Sequence, residues 1–217
     1  ALLQPMTNLH EPNSFQMVSG KGCFVTDEHG REYLEAVAGL WCVSLGWAHE
    51  ELVEAAATQL RTLSYYHCYA RSNPWADELA LRLTEMAPAA ALGHTFDGGK
   101  VFFGSGGSDA NDTQVRILWR YFRALGKPDK RRFVSRKRAY HGSTSSSGSL
   151  SGLAPVHSVH PPLEFVAAHL TCPHWYRDAL PGESEAAFAA RLAAELDETL
   201  TRLDARATVA AVFLEPV

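Results

Sequence analysis

At 217 residues, 46% hydrophobic and 20% charged, the chain has the make-up of a globular protein able to bury one large core or two modest ones. Its formal charge of −4, from 24 acidic against 20 basic residues, provides no global field to recruit nucleic acid or an anionic membrane. No apolar run reaches the ~20 residues of a membrane span, and the first residues, Ala1-Leu2-Leu3-Gln4-Pro5, lack the basic and apolar regions of a signal peptide.

The four cysteines, Cys23, Cys42, Cys68 and Cys172, have no paired spacing, which predicts reduced, mostly buried thiols and a cytoplasmic protein. Residues 15–36 read as a small antiparallel unit. Its strands fall at 15–18, 23–26 and 32–35, with turns at Ser19-Gly20-Lys21-Gly22 and Asp27-Glu28-His29-Gly30. The glycine-bounded apolar stretch Gly39-Leu40-Trp41-Cys42-Val43-Ser44-Leu45-Gly46 is expected to be irregular. Residues 49–63 place Leu52, Ala55, Ala56 and Leu60 on one helical face. Asn73 before Pro74 predicts a cap and a first-turn proline, opening a helix to about residue 86.

From residue 100 the period changes to strand, helix, strand. A short strand, Lys100-Val101-Phe102-Phe103, runs into Gly104-Ser105-Gly106-Gly107-Ser108 and then an amphipathic helix. Val115, Leu118, Trp119, Phe122 and Leu125 form its apolar face, and Asp112 with Arg116 forms an i,i+4 pair on the other. Gly126 and Pro128 stop it. The basic residues Lys127, Lys130, Arg131, Arg132, Arg136, Lys137 and Arg138 lack interleaved aromatics and read as a solvated helix-to-strand connection around a strand at 132–135. Residues 143–149 are a serine-rich low-complexity patch. A helix over about 183–203 follows, with Phe188, Leu192, Leu196, Leu200 and Leu203 on one face, and then a β-branched, apolar run at 207–214 that suits a buried parallel strand. Strands alternating with helices put the chain in the α/β class with a mainly parallel sheet. Only Glu215, Pro216 and Val217 follow the last strand, so the domain is expected to be incomplete at this end.

The glycine-rich turn before a helix is a potential anion site, because first-turn N–H groups point at the anion and the helix dipole favours it. Ser105 and Ser108 add hydroxyl donors. A P-loop would need a lysine after the glycines, and a dinucleotide fingerprint would need Gly-x-Gly-x-x-Gly; neither is present at residues 104–109. On the turn alone, a tight strand-to-helix connection capped by serine is an equal alternative. Cys172, His174 and nearby His169 lack the spacing of a metal centre and read as loop residues, so no metal is expected. No Gly-x-Ser-x-Gly elbow occurs in the serine patch.

Four segments, in order, carry a resemblance. Gly107-Ser108-Asp109-Ala110-Asn111-Asp112-Thr113 resembles the Gly-Ser-Glu-Ala-Asn-Asp-Thr signature of the class III, ω-transaminase-like aminotransferases. Ser135-Arg136-Lys137-Arg138-Ala139-Tyr140-His141-Gly142 resembles that family's next block, and Glu215-Pro216-Val217 the block closing a later sheet strand. Gly39-Leu40-Trp41-Cys42-Val43 is similar to the substrate-pocket segment of its amine:pyruvate and β-alanine:pyruvate branches. The resemblance implies fold type I, with a mainly parallel central sheet flanked by helices. Residues 1–45 would belong to a small domain and 46–217 to an incomplete cofactor-binding domain.

It also implies pyridoxal 5'-phosphate as cofactor, held by Gly107, Ser108, Tyr140, His141 and Glu215. Tyr140 would stack on the ring and His141 would pack beside it, although a core tyrosine and a proton-carrying histidine are the alternatives. Trp41 and Tyr69, with Leu9, would line the substrate pocket; a core role is the alternative for Trp41. The implied partners are an amine donor, a keto acid such as pyruvate, and a second copy sharing the active sites. The family has serine at Gly106 and glutamate at Asp109, so the phosphate contacts here should differ in detail. Its cofactor-linking lysine and pyridine-nitrogen carboxylate follow the Glu-Pro-Val block. No catalytic residue is therefore assigned within 1–217, and the piece alone is expected to be inactive. The alternatives are a class III relative with aminomutase or decarboxylating chemistry, or a non-catalytic homologue that only binds a phosphate compound or a partner chain.

Overall fold

The structure is a computed structural model that describes residues 16–86, 99–159 and 161–215. Leu9, Pro216 and Val217 lie outside the described residues. The chain divides into two compact units, residues 1–99 and 100–217.

In the first unit β1 (Met17–Lys21), β2 (Phe24–Asp27) and β3 (Glu32–Leu34) form an antiparallel meander. Lys21 pairs with Phe24, so the first turn is the two residues Gly22 and Cys23 rather than the four expected at 19–22. A shift in pairing between Met17 and Ser19 absorbs the difference. Asp27 organises the second turn. It is 1% exposed and its carboxylate accepts from the N–H groups of His29 and Arg31, Arg31 Nε and the Tyr33 hydroxyl. Burial alone would raise the Asp27 carboxyl, but these donors outweigh it and hold the pKa at about 2.

The segment expected to be irregular contains α1 (Ala38–Trp41), which is one turn of left-handed helix. Ala38, Gly39, Leu40 and Trp41 have φ of 49°, 59°, 57° and 64°. Then come α2 (Glu50–Leu63) and α3 (Pro74–Met86), the latter capped as expected by Asn73 Oδ1 accepting from Ala76 N at 3.0 Å. The α2 stripe containing Leu52 and Leu60 is exposed, because no described element of this unit covers it.

In the second unit the sheet order is β5 (Val166–Leu170), β4 (Arg132–Arg136), β6 (Val209–Val212), all parallel. Successive residues of β4 face opposite sides. On one side Phe133 packs with Val115, Leu150 and Phe213, beneath α4 (Gly107–Ala124) and α5 (Ser145–Leu150). On the other, Val134 packs with Leu170, Leu203 and Val209 beneath α8 (Glu185–Arg202). Helices on both faces of a parallel sheet are the α/β arrangement. Short helices α6 (Ala154–Val159), α7 (Trp175–Asp178) and α9 (Ala205–Thr208) complete the connections.

Several expectations need correcting. The strand at 100–103 does not form: a strand exists only through a ladder, and no described segment pairs with these residues. The last strand is shorter than 207–214 and sits at an edge of the described sheet, its start displaced by α9. The serine patch is α5, nucleated by a capping box between Thr144 and Ser147. Arg116 does not pair with Asp112; its guanidinium donates to Thr113 Oγ1 at 3.0 Å. All four cysteines are free, but Cys23, Cys42 and Cys68 are exposed and Cys172 half-buried, since none lies on a core-facing position. No described helix is long and apolar enough to cross a membrane.

Candidate functional site

In parallel α/β sheets, ligands bind beyond the carboxyl ends of the strands, where the strand order switches direction. Here the chain leaves β4 for β5 on one side and returns as β6 on the other, so the switch lies between β4 and β6. Three segments meet there: the loop after β4, the end of β6 and the N-terminus of α4.

Gly106, in extended conformation, precedes α4 without a side-chain cap, and a Cβ at Gly106 or Gly107 would meet nothing within 4 Å. The backbone at the helix start is therefore uncrowded. Asp109 folds back, its Oδ2 accepting from Ser105 N at 3.0 Å, so its charge is engaged by the incoming loop. Ser108 Oγ accepts from Ser143 N at 3.1 Å. With an acceptor site filled, the Ser108 hydroxyl proton is available to donate outward. Gly142 has φ +129°, and a Cβ there would collide with the hydroxyls of Ser108 and Ser147. Only glycine lets the loop come this close to α4.

Tyr140 is 56% exposed, with its N–H donating to Glu215 Oε2 at 3.3 Å, which links the β4 loop to the end of β6. His141 is 9% exposed. Its N–H donates to Ser151 Oγ at 2.8 Å and its ring meets Phe213 edge-on. Its Nε2 is buried with no hydrogen-bond partner among the described residues. Burial lowers the His141 pKa; Glu215 opposes that shift and His169 adds to it. The neutral form of the ring is therefore favoured.

These features suit a phosphorylated flat ring: an uncrowded glycine-rich helix start and an exposed aromatic, both at the carboxyl end of the sheet, with the buried His141 ring behind the aromatic's loop. The structure thus brings together Gly107, Ser108, Tyr140, His141 and Glu215. Asn111 and Asp112, which the sequence reading did not assign to the site, also reach the Tyr140 loop; their i,i+3 and i,i+4 spacing from Ser108 was the available signal.

Trp41 and Tyr69 lie in the first unit, 79% and 97% exposed. Trp41 is thus no part of that unit's core. The turn that carries it is tied at its start by Glu35, whose carboxylate accepts from Val37 N and Gly39 N at 3.1 and 2.7 Å. Among the described residues, His169, Cys172 and His174 belong to no group of three or more potential metal ligands. Lys130 Nζ donates to the carbonyls of Ala205 and Val209, at the amino ends of the strands and so at the end of the sheet opposite Tyr140 and Glu215.

An uncapped glycine-rich helix start near an exposed aromatic, at the switch of a parallel sheet, is the arrangement in which α/β domains bind ligands. The model of the class-III aminotransferases matches residues 6–217. Gamma-aminobutyrate transaminase 1, mitochondrial, of Oryza sativa subsp. japonica is 44% identical over 199 residues, which are 91% of this chain and 37% of that protein. The omega transaminase of Pseudomonas jessenii in complex with PMP has a TM-score of 0.92 and 43% identity, covering 100% of this chain and 47% of that one. A thermostable omega transaminase variant with a tryptophan replaced by glycine, engineered for asymmetric synthesis of enantiopure bulky amines, has a TM-score of 0.92 and 42% identity over the same shares. The chain belongs to the class-III aminotransferases, a pyridoxal-phosphate-dependent family of fold type I. It spans less than half the length of these relatives.

Proposed function

We propose that the complete protein is a pyridoxal-phosphate-dependent aminotransferase that moves an amino group from an amine or ω-amino acid to a keto acid such as pyruvate. The observation carrying this is that the uncrowded α4 start, the exposed Tyr140 and the Glu215 carboxylate bonded to Tyr140 N all lie at the carboxyl end of the parallel sheet. When bound there, the cofactor supplies the electron sink for amino-group exchange. Gly107 and Ser108 bind the phosphate through their N–H groups and the Ser108 hydroxyl. Tyr140 stacks on the ring, adding ~0.5–1.5 kcal/mol beyond area burial. His141 packs beside it as a neutral imidazole, and Glu215 holds the Tyr140 backbone in place. Trp41 and Tyr69 wall the amine pocket, a reading supported by the exposure of both side chains. Residues 1–45 are assigned to a small domain and 46–217 to the cofactor-binding domain.

The working unit is a homodimer sharing its active sites, in the cytoplasm. The rice relative is named mitochondrial, so cell fractionation decides the compartment. The activity test is the visible spectrum of the full-length protein. A cofactor band should bleach on adding a candidate amine and return with pyruvate. Borohydride reduction and peptide mapping should then place the pyridoxyl label beyond residue 217, where the family's lysine follows the Glu-Pro-Val block; Lys130 is engaged at the opposite end of the sheet. No band, or one indifferent to amines and keto acids, would overturn the activity; a label within 1–217 would overturn the lysine assignment.

A further inference from the structure

We propose that Asn111 and Asp112 are positioning residues that clamp the 140–144 loop and the start of α5 to α4, setting the spacing between phosphate receptor and aromatic platform. The inference rests on the reading of the α4 start and Tyr140 as the cofactor site. Ser108, Asn111 and Asp112 stand at i, i+3 and i+4, on one face of the first two turns of α4. Each grips a different part of the loop. Ser108 Oγ accepts from Ser143 N at 3.1 Å. Asn111 Nδ2 donates to His141 O at 2.6 Å. Asp112 Oδ1 accepts from Thr144 Oγ1 at 2.8 Å and Ser147 N at 3.0 Å.

The two Asp112 bonds fall on the residues that build the capping box of α5, so one carboxylate joins the starts of two helices. Gly142 lies between the grips, packed so closely that a Cβ would strike both Ser108 and Ser147. The loop therefore has little freedom to slide along α4. Tyr140 leads directly into it, with its N–H held by Glu215. A phosphate bound at Gly107 and a ring against Tyr140 belong to one rigid ligand, so an error in their separation weakens the pair even when each contact survives. Asn111 and Asp112, unlike Ser108, are engaged with this segment alone and are assigned no contact with that ligand, which is why they position rather than catalyse.

The test uses the full-length protein, stripped of cofactor, with Asp112→Ala, Asp112→Asn, Asn111→Ala and Ser108→Asp. Three readouts are needed: the Kd of pyridoxal phosphate, the Kd of inorganic phosphate, and the induced circular dichroism of the saturated cofactor band, which reports ring orientation. Asp112→Ala should raise the Kd of pyridoxal phosphate about tenfold and reduce the induced dichroism. Inorganic phosphate, which needs only the α4 start, should shift by less than about threefold. Asn111→Ala should act in the same direction. Asp112→Asn keeps an acceptor for Thr144 and should recover most of the dichroism. If Asp112→Ala fails to fold, Thr144→Val removes the same hydroxyl contact and serves in its place. Unchanged dichroism and Kd in Asp112→Ala, or equal weakening of pyridoxal phosphate and inorganic phosphate, would overturn the clamp. Ser108→Asp separates the two failures: if it leaves the pyridoxal phosphate Kd unchanged, the site reading itself fails.

Discussion

Ser108 Oγ accepts from the Ser143 N–H, which leaves its own proton for the phosphate contact proposed above. Ser108→Asp should raise the pyridoxal phosphate Kd by about tenfold or more, by losing a bond to a charged group worth ~1.5–3 kcal/mol and opposing the phosphate with a carboxylate. Equilibrium titration of the full-length apo-protein measures it. Trp41 combines an exposed indole with φ +64°. Trp41→Ala should shift kcat/KM towards bulky over small amines by more than about tenfold, since ~1–3 kcal/mol accompanies each methylene-sized mismatch in an apolar pocket. Melting should change little, because a core tryptophan would cost ~3–5 kcal/mol on truncation and this one is not in its unit's core. Trp41→Gly should melt higher than Trp41→Ala, because glycine adopts a left-handed φ without the ~1–2 kcal/mol Cβ penalty. A fixed specificity ratio with a collapsed melting temperature would return Trp41 to a core role.

Among the elements, β4 does most to hold the second unit together. Phe133 is 0% exposed, its ring edge-on to Phe165 and Phe213 and tilted against Trp119 of α4. Phe133→Ala should cost ~3–5 kcal/mol in a urea titration of the full-length protein. A loss below about 1 kcal/mol would mean that α4 is held by something other than this aromatic cluster. The same element shows where local reading succeeded and failed. The α4 apolar spacing and the Gly126 stop were legible, and Gly126 does end the helix at φ +71°. The Asp112–Arg116 pair was a sound i,i+4 expectation, overridden because the 144–147 loop offers Asp112 two better-placed donors. β5 and α5 escaped the sequence reading: β5 is short and follows prolines, while α5 is a serine run whose helicity comes from its cap.

At the scale of the whole molecule, pH acts through two sets of groups. His141 and His169 both have pKa values lowered from 6.5, first by burial, with His157 against His169 adding to the effect. A folded-state pKa below the unfolded one means that the unfolded chain binds more protons in this window. Their contribution is therefore full above about pH 6.5 and is lost as pH falls below it. The Asp27 carboxyl sits at about 2, where four hydrogen-bond donors overcome the effect of burial, and the Glu183 carboxyl at about 2 through Arg191 first and Leu180 N second. Their contribution is present above the usual 3.8 and 4.5 and is lost as pH falls towards 2. Unfolding free energy of the apo-protein against pH should thus fall in two waves. His169→Asn should flatten the upper wave and leave the lower one; an unaltered profile would remove His169 from it.

The sequence by itself determined the α/β class, the α4 and α8 faces, the Asn73 cap and the family, because these rest on local periodicity and on motifs read within a few residues. It brought Gly107, Ser108, Tyr140, His141 and Glu215 forward as a set, but gave no reason in distance for them to meet. Tertiary structure decided that. The parallel order β5-β4-β6 carries Tyr140 and Glu215, 75 residues apart, to within a hydrogen bond. Tertiary structure also decided that Asp112 turns inward, that Lys130 faces away, and that the 100–103 run, lacking a ladder among the described residues, is no strand. Pairing, burial and charge partnership between distant residues are set by which surfaces meet in space, and no local pattern encodes them.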